Sequence, residues 1–95
     1  MEKKRTGLRS YIRSNLPIEL VNFLKKKGIL TDFIQIFLNA TSGYINQKEV
    51  FTRSLNVFPN GNVLFEFVKF ADFGENKEYW NKLKLEYESE CADSK

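Results

Sequence analysis

The Pro-Asn-Gly-Asn sequence at residues 59–62 is the feature that most constrains how this chain can fold. It separates two segments rich in β-branched and aromatic residues, about 49–58 and 63–70. Asn-Gly supplies the two positive-φ positions of a type I′ turn, which commonly connects the strands of a β-hairpin. The pattern therefore predicts an antiparallel hairpin over these segments, or a small sheet if a third strand runs through Tyr44 and Ile45.

The predicted hairpin would carry apolar side chains on both faces near its turn. In the register that a two-residue turn imposes, Phe58 lies opposite Val63, and one face carries Phe58, Val63, Phe65 and Phe67. Aromatic side chains on an exposed sheet face are frequent hot spots for protein binding. Phe58, Phe65 and Phe67 are therefore candidate protein contacts. The alternative is that these rings belong to an ordinary core.

Helices are predicted before the hairpin. Gly28 follows three lysines and can adopt the left-handed conformation that ends a helix, so a helix is expected over residues 17–27. Thr31 is a candidate cap for a third helix, so apolar that it should lie in the centre of the core. A shorter amphipathic pattern predicts a first helix over about residues 6–14.

The carboxy-terminal segment predicts one more helix. Trp80, Leu83 and Tyr87 are spaced for one side of a helix over about residues 75–90, and this side should dock on the rest of the fold. The predicted fold class is therefore α+β. It comprises two or three amino-terminal helices, an antiparallel hairpin or small sheet, and a carboxy-terminal amphipathic helix.

Length and cysteine content bound the domain organisation and the compartment. The 95 residues fit a single domain with one core, in which residues 1–5 and 90–95 are expected to fray. Cys91 is the one cysteine, so no disulfide can form within the chain, and a reducing cytoplasm is the simplest location. No signal peptide or membrane-spanning stretch is apparent, so a membrane partner is not expected. Because Lys and Asn far outnumber Ala, the composition suggests an AT-rich genome such as that of a phage or mobile element.

The residue types argue against catalysis. The chain contains no histidine, which removes the usual acid-base group and the usual zinc ligand. The glycines form neither of the common phosphate-binding loops. Glu66 could meet other carboxylates, but pairing with Arg53 explains it more simply. We therefore expect no enzyme, with no catalytic, cofactor-binding or metal-binding residue.

Basic residues are concentrated at the amino-terminal end. Residues 1–27 hold eight Lys or Arg and two acidic residues, a local charge of +6 in a chain whose net charge is +3. Arg5, Arg9 and Arg13 recur every four residues, so they share one face of a helix and could each hold a phosphate oxygen. A neighbouring tyrosine could stack on a base. The candidate anion or nucleic-acid contacts are Arg5, Arg9, Arg13, Tyr11, Lys25, Lys26 and Lys27.

The same charges have a structural interpretation. A basic stripe is usually solvated, and this one could also meet the acidic final helix within the fold.

The sequence thus predicts a small regulatory or inhibitory protein that binds a larger macromolecule, with a protein partner favoured over nucleic acid. The alternative is a nucleic-acid-binding module that uses the basic amino-terminal region. A homo-oligomer is compatible with either.

Overall fold

The computed structural model describes residues 2–72 and 77–93, and over these ranges the chain forms six α-helices and no strand. In chain order they are α1 (Glu2–Asn15), α2 (Ile18–Lys27), α3 (Leu30–Ala40), α4 (Gln47–Val57), α5 (Asn62–Asp72) and α6 (Lys77–Asp93). The predicted α+β fold is therefore wrong. The described chain is all-helical, and the predicted strands over 49–58 and 63–70 are replaced by helices.

The burial pattern of α5 explains why the hairpin does not form. Leu64, Phe65 and Val68 are all buried. This spacing defines one face of a helix, whereas a strand would point Leu64 and Phe65 to opposite faces. Burial of one helical face outweighs the β propensity of these residues, since that propensity depends strongly on context.

A side-chain cap at the amino-terminal end of α4 favours a helix over the predicted strand there. Asn46 precedes the helix, and its Oδ1 accepts a hydrogen bond of 3.1 Å from the backbone N–H of Glu49. This contact satisfies an amide that has no partner within the first turn of a helix. Asn followed three residues later by Glu is a sequence signal of a helix start, and here it competes with the β-favouring composition of the residues that follow.

The turn at Gly61 is real, but it joins two helices. Gly61 has φ +83°, and its N–H donates to the carbonyl of Phe58 at 2.9 Å. The Asn60 side chain accepts from the backbone N–H of Asn62 at 3.0 Å, and the Asn60 carbonyl accepts from the Tyr87 hydroxyl at 2.6 Å. Positive φ at the glycine was predicted correctly; the elements that it connects were not.

The core is built around α3 and is rich in aromatic rings. Phe33 packs edge-on against Phe65 and Trp80, with ring centroids 5.4 and 6.0 Å apart. Phe37 packs in the same manner against Phe51 of α4, at 5.5 Å. The expected central position of the third helix is confirmed. The buried apolar residues are Ile12, Leu16, Leu20, Phe23, Leu24, Phe33, Ile34, Phe37, Phe51, Leu64, Phe65, Val68, Trp80, Leu83 and Tyr87.

Most of the local helix signals are confirmed. Gly28 ends α2 with φ +74°, and the N–H groups of Gly28 and Ile29 donate back to carbonyls in the last turn. Trp80 and Tyr87 are buried on one side of α6, as their spacing predicted. The predicted cap at Thr31 is wrong, because α3 begins at Leu30 and its cap position is Ile29, two residues before Thr31. The described part of α6 continues through Asp93, and Cys91 in its last turns packs against the core.

Replacing Gly61 with Ala should lower the free energy of unfolding substantially. A Cβ at this position would lie 2.6 Å from Cδ2 of the buried Leu20, so either the turn or the Leu20 side chain must shift. The left-handed conformation costs a residue with a Cβ roughly 1–2 kcal/mol, and overpacking a core typically costs about 1–3 kcal/mol. Urea denaturation followed by circular dichroism measures the loss.

Gly28→Ala is the matched control, because Gly28 has a similar positive φ but nothing within 4 Å of its Cβ position. It should show the conformational cost alone. Equal losses in the two variants would contradict the close packing of the turn against Leu20.

Candidate functional site

The arginines of α1 lie beside α3. Arg9 donates a hydrogen bond to Oε1 of Gln35, and Arg13 donates to the hydroxyl of Thr31 at 3.2 Å. Thr31 and Gln35 are one helical turn apart on α3, so Arg9 and Arg13 follow the line along which α1 meets α3. Both acceptors are neutral, and the positive charges are therefore not compensated by these contacts. The side chain of Arg5, the third member of the predicted stripe, lies outside the described residues.

Tyr11 is on a different side of α1 from these arginines. Its hydroxyl hydrogen-bonds the Thr52 hydroxyl at 2.9 Å, and its ring packs edge-on against Phe51 with centroids 6.2 Å apart. The ammonium of Lys48 lies 4.8 Å from the ring centroid. Because its ring is engaged with α4 residues, Tyr11 is not placed with Arg9 and Arg13 as a stacking platform for a base.

Two of the three lysines at the end of α2 are neutralised by α6. Lys26 pairs with Glu90 at 3.2 Å and Lys27 with Glu86 at 2.8 Å. The hydrogen bond from Lys27 lowers the pKa of Glu86 below its ordinary value, and the same contact raises the pKa of Lys27. The lysines at the end of α2 thus meet the acidic residues of α6 within the fold, whereas Arg9 and Arg13 of the predicted stripe contact neutral residues of α3.

Lys25 points to a different surface from its two neighbours. It lines an open groove of about 410 Å³, together with Arg13 of α1. The groove lies between α1, α2 and the first residue of α3, and its lining residues are Ser10, Arg13, Ser14, Val21, Lys25 and Leu30. None of them is acidic. Spacing along one helix could not reveal this pairing of Arg13 with Lys25, since it depends on how α1 packs against α2.

The three predicted aromatic contacts do not share an exposed face. Phe65 is 1% exposed and packs against Tyr87, with ring centroids 5.7 Å apart. Phe67 is half-buried and perpendicular to Phe37 at 5.5 Å. Phe58 is the one exposed ring of the three, at 40%, and it lies in the turn after α4. The face that was to carry them does not exist, because the hairpin does not form.

An exposed apolar surface occurs instead in the loop between α3 and α4. Ile45 is fully exposed and Tyr44 is 56% exposed. Both line an open groove of about 240 Å³, whose other lining residues are Asn46, Glu49, Val50 and Arg53. The sequence pattern predicted only a third strand through this pair. One sequence feature does indicate that this pair lies in an exposed loop. The two large apolar residues come directly after a Thr-Ser-Gly cluster that ends a helix.

The loop is fixed at its base by a buried threonine. Thr41 is fully buried, and its hydroxyl donates to the Phe37 carbonyl at 2.9 Å. The Gln47 side chain donates both to the Thr41 hydroxyl at 3.1 Å and to the Leu38 carbonyl at 3.2 Å. The first residues of α4 are thereby held against the end of α3. Tyr44 and Ile45 project from a base that these hydrogen bonds hold in place.

Comparison with known proteins adds no constraint. No family model matches the sequence, and neither a curated protein nor a solved structure is significantly similar to it. Across residues 2–72 and 77–93, no helix is both long enough and apolar enough to cross a bilayer. The function must therefore be inferred from the surfaces just described.

The pairing of Lys27 with Glu86 can be tested by carboxyl titration. Because the folded-state pKa of Glu86 is lowered, its pair stabilises the fold above the ordinary glutamate pKa of about 4.3. That contribution is lost as the pH falls through the lower folded-state value. An NMR pH titration should give Glu86 a midpoint below the ordinary value, and Lys27→Gln should move it upward.

Lys25→Gln removes the same charge two residues away and serves as the control. Its effect on the Glu86 midpoint should be much smaller. Equal effects from both substitutions would show that Glu86 responds to the general positive charge of α2 and not to its pair with Lys27.

Proposed function

We propose that this chain is a small, non-catalytic regulatory or inhibitory domain that binds the surface of a larger protein. The observation that carries the proposal is the exposure of Tyr44 and Ile45 at the end of a fixed loop. Large apolar side chains that are exposed side by side are characteristic of sites of protein association. Tyrosine in particular is enriched among the residues that dominate binding energy.

The hydrogen bonds at the base of the loop support a role for Tyr44 and Ile45 in binding. Thr41 and Gln47 hold the two ends of the loop to α3 by side-chain hydrogen bonds. A surface that is already ordered loses less conformational entropy when a partner docks, and more of the burial energy then appears as affinity. The loop is thus suited to insert its two apolar side chains into a pocket of a partner.

The residues around the loop have the arrangement of a protein interface, with charged side chains beside an apolar pair. Glu49 and Arg53 form an ion pair of 3.0 Å beside the apolar pair, and both line the adjoining groove. Interfaces commonly have an apolar centre and a polar, solvent-accessible rim. We propose a non-catalytic role because the chain has no histidine and its sequence contains no catalytic motif.

A nucleic-acid-binding module is the second candidate, and one observation favours it. Among the described residues, Arg13 and Lys25 form no ion pair although they line the same groove. Basic side chains that cluster on one surface without acidic partners are an electrostatic feature of phosphate-binding proteins. This candidate uses a surface that shares no residue with the loop.

The double variant Tyr44→Ser/Ile45→Ser tests the first candidate. It should leave the melting temperature nearly unchanged, because both side chains are exposed, and it should weaken partner binding by roughly 30-fold or more, as expected for hot-spot residues. Partners would be captured from host lysate with the wild-type domain. Each captured protein would then be purified, and its affinity for wild type and variant measured by calorimetry.

Val57→Ser and Leu85→Ser are the controls, since both are apolar residues that are also exposed, but elsewhere on the surface. They should bind the purified partner as wild type does. A partner whose affinity depends on Val57 or Leu85 and not on the loop would contradict the proposed contact.

A further inference from the structure

The groove between α1 and α2 concentrates positive charge from two helices. Arg13 comes from α1 and Lys25 from the last turn of α2, and both side chains are exposed. The hydrogen bond from Arg13 to the Thr31 hydroxyl uses one donor of its guanidinium and leaves the others available. A guanidinium and an ammonium on one concave surface can together hold an anion that neither would retain alone.

The charge in this groove is not cancelled from within the described part of the fold. Lys26 and Lys27, the sequence neighbours of Lys25, each have an acidic partner on α6. The five ion pairs found among the described residues include neither Arg13 nor Lys25. Asp32, one residue beyond the hydroxyl that Arg13 contacts, takes no part in those pairs. The groove therefore keeps two positive charges for a ligand from outside.

Neutral groups complete the surface in a way that suits a phosphate. Ser10 and Ser14 bring hydroxyl groups to the groove, and the Ser14 hydroxyl donates to the Ser10 carbonyl. That contact leaves the lone pairs of Ser14 and the whole hydroxyl of Ser10 for other partners. Val21 and Leu30 supply apolar surface next to the charges. A volume of about 410 Å³ accommodates a phosphate together with the carbon atoms to which it is bonded.

Positive charge continues along α1 beyond the groove. Arg9 precedes Arg13 by one helical turn, about 6 Å along the axis, and contacts a neutral amide. An isolated phosphate would need only the groove, whereas a chain of phosphates can also meet Arg9. Because Tyr11 is engaged with α4, the described residues of this surface offer no aromatic ring for a base. The contact would therefore be to the sugar-phosphate backbone and independent of the nucleotide sequence.

We infer that the groove lined by Ser10, Arg13, Ser14 and Lys25 is a phosphate-binding site, and that the phosphate belongs to a nucleic-acid strand. The inference rests on the second candidate function and assigns it to named residues. It does not involve the loop that carries Tyr44 and Ile45.

The test compares two double variants with equal change in charge. Arg13→Gln/Lys25→Gln removes both groove cations, whereas Lys26→Gln/Arg53→Gln removes two cations that already have acidic partners. Binding to a fluorescent 20-base-pair duplex would be measured by anisotropy at several salt concentrations. Each phosphate contact contributes about −0.9 to the log-log salt slope, so the groove variant should lose roughly 1.8 of the wild-type slope. The control variant should keep it.

Two further variants separate an effect on folding from an effect of charge. Arg13→Lys keeps the charge and should retain most of the slope. Lys25→Gln alone removes no side-chain hydrogen bond to another described residue, and it should lose roughly half of 1.8. Circular dichroism establishes that each variant is folded. Equal losses in the groove and control variants would overturn the site. A wild-type protein that does not bind the duplex at about 0.05 M salt would overturn the assignment of the phosphate to a nucleic-acid strand.

Inorganic phosphate distinguishes the two sources of the anion. In NMR titrations its addition should shift the backbone amide signals of Ser10, Arg13, Ser14 and Lys25, and the groove variant should not respond. Phosphate binding without duplex binding would support the phosphate site and overturn its assignment to a nucleic-acid strand. Failure of both arms would overturn the inference and leave the loop as the candidate contact, since the two surfaces share no residue.

Discussion

The packing of aromatic rings against α3 is the interaction on which the rest of the described structure depends. Phe33 contacts rings from α5 and α6, and Phe37 contacts rings from α4 and α5. Large rings bury much area each, so a short chain can build a core from few side chains. Leu64, Phe65 and Val68 of α5 can face this core together in a helix but not in a strand, and their burial therefore favours the helical conformation.

Local structure could be predicted where a local cause decides it. The left-handed Gly28 and the buried side of α6 both follow from residues close together in sequence. The hairpin was wrong because Asn60-Gly61 specifies a reversal of the chain without specifying what it connects. The deciding contacts, Gly61 against Leu20 and Asn60 with Tyr87, join residues that are distant in sequence. No pattern within the hairpin segments could reveal them.

The candidate surfaces, too, could be predicted only in the part that depends on residues close together in sequence. Composition indicated a basic amino-terminal region, but it could not distinguish Lys25 from Lys26. That distinction arises because the acidic residues of α6 reach one side of α2 and not the other. The exposure of Tyr44 and Ile45 was missed for a related reason, since an apolar pair reads as a buried segment until the neighbouring helices are in place.

The mismatch between local preference and final fold at α4 and α5 bears on how the chain behaves before it has folded. Their segments retain a β-favouring composition and an Asn-Gly turn whenever the contacts with α2 and α6 are absent. Unfolded chains with such segments can pair strand to strand with one another and aggregate. The packing of Leu20 and Tyr87 against the turn thus has a second consequence: it removes from solution a hairpin that could otherwise recruit further copies.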